Sequence, residues 1–302
     1  VSAWVCGEAL IDIFGDQQIV GGGPANTARA LALLGQDTQF IGGISTDRHG
    51  DAVRSELVEA GVGIQYCTVG DSPTCTAAVT FNDHGSASYI FTIDGTITFD
   101  FDATWLPSPL TLKPSLLHIG SLATLIEPGA SKLFDWAKIV SSIAPIVFDP
   151  NVRPLVLDNK VLYRASVERW LEISTIVKVS DDDLAWLYPD ESLEQVGARW
   201  ISAGVPLVVI TRGAEGIIAM TATETVAVDG VKVDVIDTIG AGDTVGAIVS
   251  QALLDFGVEN LHGDRLLEML HCASVAAAIT CSRIGAHPPT KSELDEALEK
   301  SK

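Results

Sequence analysis

Positive charge is scarce in this sequence: 19 Lys and Arg stand against 39 Asp and Glu, a formal net charge of -20. Such a surface repels phosphate backbones and anionic bilayers at long range, so neither nucleic acid nor a membrane is an expected partner. It does not exclude a local anion site, because helix N-termini and turned backbone amides hold phosphate without lysine or arginine. No apolar run reaches the ~20 residues that span a bilayer, and residues 1–16 show no basic stretch ahead of an apolar one. That opening reads as a buried first strand rather than an export signal. Cysteine is sparse too: Cys6, Cys67, Cys75, Cys272 and Cys281 are odd in number and have no CxxC spacing. A disulfide framework or cysteine metal cluster is therefore not expected, and a reducing, cytoplasmic compartment with small buried thiols is. A Walker A loop and an N-terminal GxGxxG fingerprint are both missing, which argues against a P-loop enzyme and against an NAD-dependent oxidoreductase.

What is present is a globular composition, 47% hydrophobic and 19% charged over 302 residues, with no internal repeat or low-complexity linker. One large domain spanning residues 1–302 is expected. Ala3 to Ile13 predicts a strand that runs through Phe14–Val20 into Gly21–Gly23; Ala25 to Gly35 predicts a helix, Thr38–Ile44 a strand and His49–Ala60 a helix. This early βαβ alternation argues for a parallel sheet with crossover helices. Thr74–Phe81, Ala87–Ile93 and Ile97–Phe101 are short β-rich runs separated by the turn signals Asn82-Asp83-His84-Gly85 and Asp94-Gly95. They predict a small antiparallel sheet projecting from the main body, fit to close over a substrate or to pair two subunits. From Leu116–Ile119 the alternation resumes, through strands at Pro145–Phe148, Ile176–Val179 and Val205–Ile210 and late helices at Ala241–Leu254 and Leu266–Cys281. Ligands of open α/β sheets bind beyond the carboxyl ends of the strands, which singles out Gly120, Asp149, Asn151, Ser180, Thr211 and Gly213.

Two segments carry chemistry. Asp237-Thr238-Ile239-Gly240-Ala241-Gly242-Asp243 opens an apolar helix. Its glycines let backbone N–H groups converge, the helix adds its positive end, and Asp243 can take a proton from an attacking hydroxyl at the same spot. The plainer alternative is a helix cap with closely packed glycines. Gly21-Gly22-Gly23-Pro24-Ala25-Asn26 follows the first strand; Asn26 offers both donor and acceptor to hydroxyls, and Asp12 can accept from two neighbouring ones. Taken alone, that glycine run also fits an ordinary turn.

In that order and more than 200 residues apart, the two segments resemble the signatures of the ribokinase-like, or PfkB, family of carbohydrate kinases, and within it the fructokinases. The resemblance covers nearly the whole chain. It implies an α/β, three-layer fold with a central, mostly parallel sheet flanked by helices, plus a small β-sheet lid formed by about 14–20 and 74–101. It also implies phosphoryl transfer from ATP with Mg2+ to a small sugar. By the same resemblance Asp243 is the general base and Gly240, Ala241 and Gly242 form the anion hole. Asp12, Gly22, Gly23, Asn26, Phe91 and Asn151 hold the sugar. Arg153, in a DPNxR-like stretch from Asp149, lies on the phosphate path. Lys178, Ser180 and Asp183 match a nucleotide and magnesium element, with Asp183 acting on Mg2+ through water. Thr211, Gly213 and Gly216 match a turn at the ATP phosphates, and Ser274 lies on the helix beside the adenine. A potassium site matches Asp237, Ile239, Thr280, Arg283 and Gly285.

The lid departs from the fructokinase pattern. Relatives often carry Phe-Tyr-Arg before an Asp-Gly-Thr turn, whereas this chain reads Phe91-Thr92-Ile93-Asp94-Gly95-Thr96-Ile97. Two polar contacts to the sugar are thereby lost, and an anionic sugar acid, which wants an arginine, becomes a poorer candidate than fructose. The resemblance leaves open a ribokinase, a nucleoside kinase or a 2-keto-3-deoxygluconate kinase, and from another class a non-catalytic sugar- or nucleotide-binding protein. A homodimer through the β lid is a further expectation.

Overall fold

The computed structural model describes residues 2–81 and 87–300. Its strands are β1 (Ala3–Cys6), β2 (Leu10–Phe14), β3 (Gln17–Gly21), β4 (Thr38–Ile41), β5 (Gly43–Ser45), β6 (Thr68–Gly70), β7 (Thr76–Phe81), β8 (Ala87–Thr92), β9 (Leu116–Gly120), β10 (Ile146–Asp149), β11 (Ile176–Ser180), β12 (Leu207–Thr211), β13 (Ile217–Met220) and β14 (Thr225–Val228). The helices are α1 (Gly23–Leu33), α2 (Arg48–Glu59), α3 (Pro109–Leu112), α4 (Gly129–Val140), α5 (Lys160–Leu171), α6 (Asp181–Leu187), α7 (Leu193–Ser202), α8 (Ala241–Phe256), α9 (Gly263–Cys281) and α10 (Lys291–Lys300).

Eight strands form the central sheet in the order β14-β13-β12-β11-β10-β9-β1-β4. From β4 to β12 neighbours run parallel, and β13 and β14 complete the far edge antiparallel. Strands of this kind are buried on both faces, and β12 shows how the two-residue period divides them. Leu207 and Val209 join the core beneath α1, α8 and α9, while Val208 and Ile210 join the core beneath α4, α5, α6 and α7. Helices thus cover both faces of the sheet, giving three layers.

A second sheet, β3-β2-β7-β8, stands apart from the first. It begins at Leu10, earlier than the expected start near Phe14, because the apolar run Ala3 to Ile13 is not one strand. The chain leaves the central sheet after Cys6 and re-enters strand at Leu10 in the second sheet. Hydropathy alone does not reveal that bend, since both halves are buried. Thr38–Ile44 is likewise split, with β4 in the central sheet and β5 paired to β6 in a third, two-stranded sheet. Ile97–Phe101 is not a strand: Ile97–Phe99 forms a buried 3-10 turn. There the Thr98 hydroxyl accepts from the Cys75 amide at 3.0 Å and donates to the Ala9 carbonyl at 3.4 Å, side-chain bonds that replace a ladder. The Asp94-Gly95 turn is present, whereas the one expected at Asn82-Asp83-His84-Gly85 lies outside the described residues. Among the described residues no helix is long and apolar enough to cross a membrane.

Candidate active site

The carboxyl ends of β9, β10, β11 and β12 point toward the N-termini of α1 and α8, and the chemically equipped side chains collect there. Gly240 caps α8 with φ of 80°, a left-handed conformation that glycine adopts without strain. A Cβ at this position would also sit 2.6 Å from that of Ala286. The Ala241 amide turns back to the Thr238 carbonyl at 3.3 Å, so among the described residues the Gly242 and Asp243 amides of the first turn are the ones left open to a ligand, and the apolar body of the helix holds them against the sheet. Asp243, in that first turn, accepts a 2.8 Å hydrogen bond from the Asn26 side-chain amide on α1, 217 positions away in sequence. The Thr27 hydroxyl reaches the Asp243 carbonyl at 3.3 Å. Gly23 completes the contact: an added Cβ would lie 2.5 Å from Asn151 Nδ2 and 3.1 Å from Asp243 Oδ1, so Gly23, Asn151 and Asp243 share one wall.

Burial pushes the Asp243 carboxyl above the ordinary aspartate range; Lys178, the Asn26 hydrogen bond and Arg153 oppose this, and Asp149 adds to it. Asp12 lies half-buried on β2, and its carboxylate makes no hydrogen bond among the described residues. Desolvation pushes it up to about 6 against the pull of Arg153. Asp12 pairs in register with Ala77 and Ala77 with Phe91, so all three face the same side of the second sheet. Phe91 packs with Ile93 and Val156 around the small core of Leu10, Cys75, Ala77, Phe99 and Leu122. Beside it opens a cleft of about 490 Å³ lined by Phe91, Thr92, Ile93, Asp94, Leu155 and Val156. Arg153 is exposed and forms no ion pair with the described residues; its guanidinium bonds the Asn151 and Val152 carbonyls and acts electrostatically on Glu8, Asp12, Asp183 and Asp243.

The nucleotide side is built differently from a cluster of free ligands. Ser180 caps α6 and forms a reciprocal box with Asp183, whose carboxylate accepts the Ser180 amide at 3.3 Å and the Val152 amide at 3.0 Å. Both Asp183 oxygens are thus spent on backbone, leaving contact with a metal to their remaining lone pairs. No group of three or more His, Cys, Asp or Glu suited to a metal occurs among the described residues. Thr211 is the register partner of Ser180, and Gly213 and Gly216 flank the turn that follows. Ser274 is buried on α9, donating to the Asp229 carbonyl at 3.1 Å and accepting the Val231 amide at 3.3 Å, so it anchors the loop after β14. Asp237 ties two loops together by accepting from the amides of Ile239 at 3.0 Å and Gly285 at 2.8 Å. Thr280 bonds Thr244 of α8 at 2.9 Å, the Arg283 side chain turns to Glu293 at 2.7 Å, and the Thr280 and Gly285 carbonyls accept the Arg283 and His287 amides at 3.1 and 2.8 Å, so a cation here would share oxygens already in hydrogen bonds.

Two features were not foreseen from sequence: the residue Glu8, and the pairing of Lys178 with Asp149, two residues singled out separately. Glu8, fully buried between β1 and β2, accepts the Ala123 amide at 3.1 Å and is pushed up by desolvation. The Lys178 ammonium meets Asp149 at 2.8 Å with both side chains buried, which gives the lysine a fixed partner. Glu8 has no local motif, and the meeting of Lys178 with Asp149 follows from the adjacency of β10 and β11.

The profile of the pfkB family carbohydrate kinase matches residues 8–293. The chain is 34% identical over 257 residues to a fructokinase of Rhizobium leguminosarum bv. trifolii, covering 82% of this chain and 78% of the relative. It is similar to the fructokinase of Vibrio cholerae O395 solved in fructose, ADP and calcium ion bound form, with 28% identity, a TM-score of 0.83 and 98% of each chain covered. The fructokinase of Xylella fastidiosa with bound ATP shares the fold at a TM-score of 0.88 and 24% identity, over 99% of this chain and 98% of that one.

Proposed function

The chain belongs to the pfkB family of carbohydrate kinases, and from that premise we propose that it is a fructokinase, transferring the γ-phosphoryl of ATP to D-fructose to give fructose 6-phosphate and ADP. The observation that carries the reading is the Asn26–Asp243 contact, which sets a carboxylate in the first turn of α8, at the positive end of that helix. Asp12, Asn26 and Asn151 orient the sugar hydroxyls. Asp243 takes the proton of the primary hydroxyl as its oxygen bonds to the γ-phosphorus, while the bond from phosphorus to the β,γ-bridging oxygen breaks and its electrons leave with ADP. The amides of Gly240, Ala241 and Gly242 meet the negative charge on the transferring group, and Arg153 approaches it from the loop after β10. Ionised Asp243 is the working form, so Lys178 and Asn26, which favour it, oppose the cost of burial.

Ser180, Thr211, Gly213 and Gly216 line the nucleotide path, with the loop anchored by Ser274 beside the base. Asp183, its oxygens already engaged by backbone amides, would hold magnesium through water, and the ion would supply charge neutralisation at the nucleotide phosphates. The main-chain carbonyls near Asp237 and Gly285 offer a potassium site next to the anion hole. The second sheet, with Asp12 and Phe91 on its inner face, serves as a lid that excludes water from the sugar, within one domain spanning the chain. On β8, Ile90 is exposed, which supports pairing of two copies through the lid. Free cysteines support a cytoplasmic setting.

Coupled ADP release from Mg-ATP across fructose, ribose, 2-keto-3-deoxygluconate, glucose and adenosine tests the substrate. Preference for fructose is expected, showing that the absent lid Tyr-Arg pair is dispensable. Preference for another acceptor moves the substrate, and no turnover with any of them overturns the reading in favour of a binding protein.

A further inference from the structure

Asp149 on β10 and Lys178 on β11 stand one step beyond the hydrogen-bonded pair Phe148–Val177, on the face of the central sheet that carries α8. Their side chains are each 5% exposed, joined at 2.8 Å. A Cβ placed on Gly242 would lie 3.0 Å from the Lys178 ammonium nitrogen. The lysine is therefore not a surface group reaching toward a nucleotide. It is a fixed cation built into the sheet beneath the anion-binding turn. A buried ion pair is a costly way to obtain stability, since apolar residues of similar volume do as well or better. The pair is also exclusive: among the described residues Asp149 Oδ1 is buried without a hydrogen-bond partner, so Lys178 is the cation that compensates this carboxylate and is held in place by it.

We propose that Lys178, pinned by Asp149 beneath the first turn of α8, is a positioning residue for phosphoryl transfer whose charge keeps the Asp243 carboxylate ionised and reinforces the anion hole at Gly242. The inference rests on the kinase reading above and adds a residue that acts through Asp243. Asp243 is faced by Lys178 from β11, Asp149 from β10, Arg153 from the following loop and the neutral Asn26 from α1. Asp183 on α6 and His118 on β9 act on the Lys178–Asp149 pair. His118 is held down to about 4 by burial and is uncharged at neutral pH. Burial alone would lower the Lys178 value, yet Asp149, Asp243 and Asp183 outweigh it and raise it, so the ammonium persists through neutral pH. Of the charges acting on Asp243, Lys178 weighs more than Asp149.

The test is the titration of the Asp243 carboxyl carbon in 13C-labelled protein, assigned by its loss in Asp243→Asn, compared among wild type, Lys178→Met, Asp149→Asn and the double variant. Removing the cation should raise the Asp243 midpoint, and removing its anionic partner should lower it. The double variant leaves no buried charge unpaired and should still show a net rise. With fructose, Lys178→Met should lose about 10-fold or more in kcat while KM for the sugar changes by less than about 3-fold. Midpoints that stay put, or that move in the same direction in both single variants, overturn the proposal and leave the pair a packing device, whatever happens to activity. Because the titration needs no substrate, an enzyme inert toward fructose but showing opposite shifts would refute the substrate and not the role of Lys178.

Discussion

Replacing Asn26 with aspartate converts the donor 2.8 Å from Asp243 into a second acceptor of nearly the same shape. Two carboxylates so placed cannot both ionise freely; even at 4 Å and an effective dielectric near 20 their repulsion is about 4 kcal/mol. At about 1.4 kcal/mol per unit, this raises the protonation midpoint of the pair by roughly 3 units. Asp243 is the base only when ionised, and its value already lies above the ordinary range. Activity is lost as pH falls through that midpoint, so the acid limb of kcat should move to higher pH by a similar amount. Turnover missing at neutral pH should return as the solution is made alkaline. The assay is ADP formation in quenched samples at saturating ATP and fructose, from about pH 5 to 10, with Tm followed in parallel. An Asn26→Asp profile that overlays the wild type, or one depressed uniformly with an unmoved limb, would refute the assignment of Asp243 as base and Asn26 as its neighbour.

Asp12→Asn should have opposite effects on binding and stability. Burial raises Asp12 to about 6, so its ionised form is disfavoured in the fold; the stability present below the ordinary aspartate value is lost as pH rises through 6. The amide variant should then be more stable than wild type above pH 6, by roughly 1 kcal/mol after solvent screening, with the difference vanishing toward pH 4, while KM for fructose rises. Thermal melts at both pH values and sugar saturation curves check this. Gly23→Ala should lower kcat and raise the sugar KM together, since the new methyl must displace Asn151 or Asp243; unchanged kinetics would show that the wall they share has room.

The architecture was largely legible because binary patterning and glycine punctuation agree with it. The helices at Ala25 and Ala241 and the strands from Leu116 to Ile210 lie close to where their residues predict. The alternation failed where one apolar run serves two sheets, at Ala3–Ile13 and Thr38–Ile44, because burial looks the same on either side of a bend. At Ile97–Phe101 it failed because β-branched and aromatic residues mark a half-buried environment as readily as a ladder. In the site, the α8 turn and the glycine run announced themselves locally. Their meeting through Asn26 and Asp243, and the Lys178–Asp149 pair, depend on strand order and could not be read from spacing. Ser274 and Asp237 show the converse: motif position marks them, and the structure uses their side chains to hold loops.

The most direct measurement is kcat for ATP-dependent phosphorylation of fructose by purified Asp243→Asn protein, alongside its thermal stability and sugar affinity. Asn keeps the size of the side chain and removes only the base, so turnover should fall by about 10²–10⁴-fold with fold and fructose binding retained. Turnover within a few-fold of wild type would contradict general-base catalysis by Asp243 and, with it, the chemistry assigned to the site.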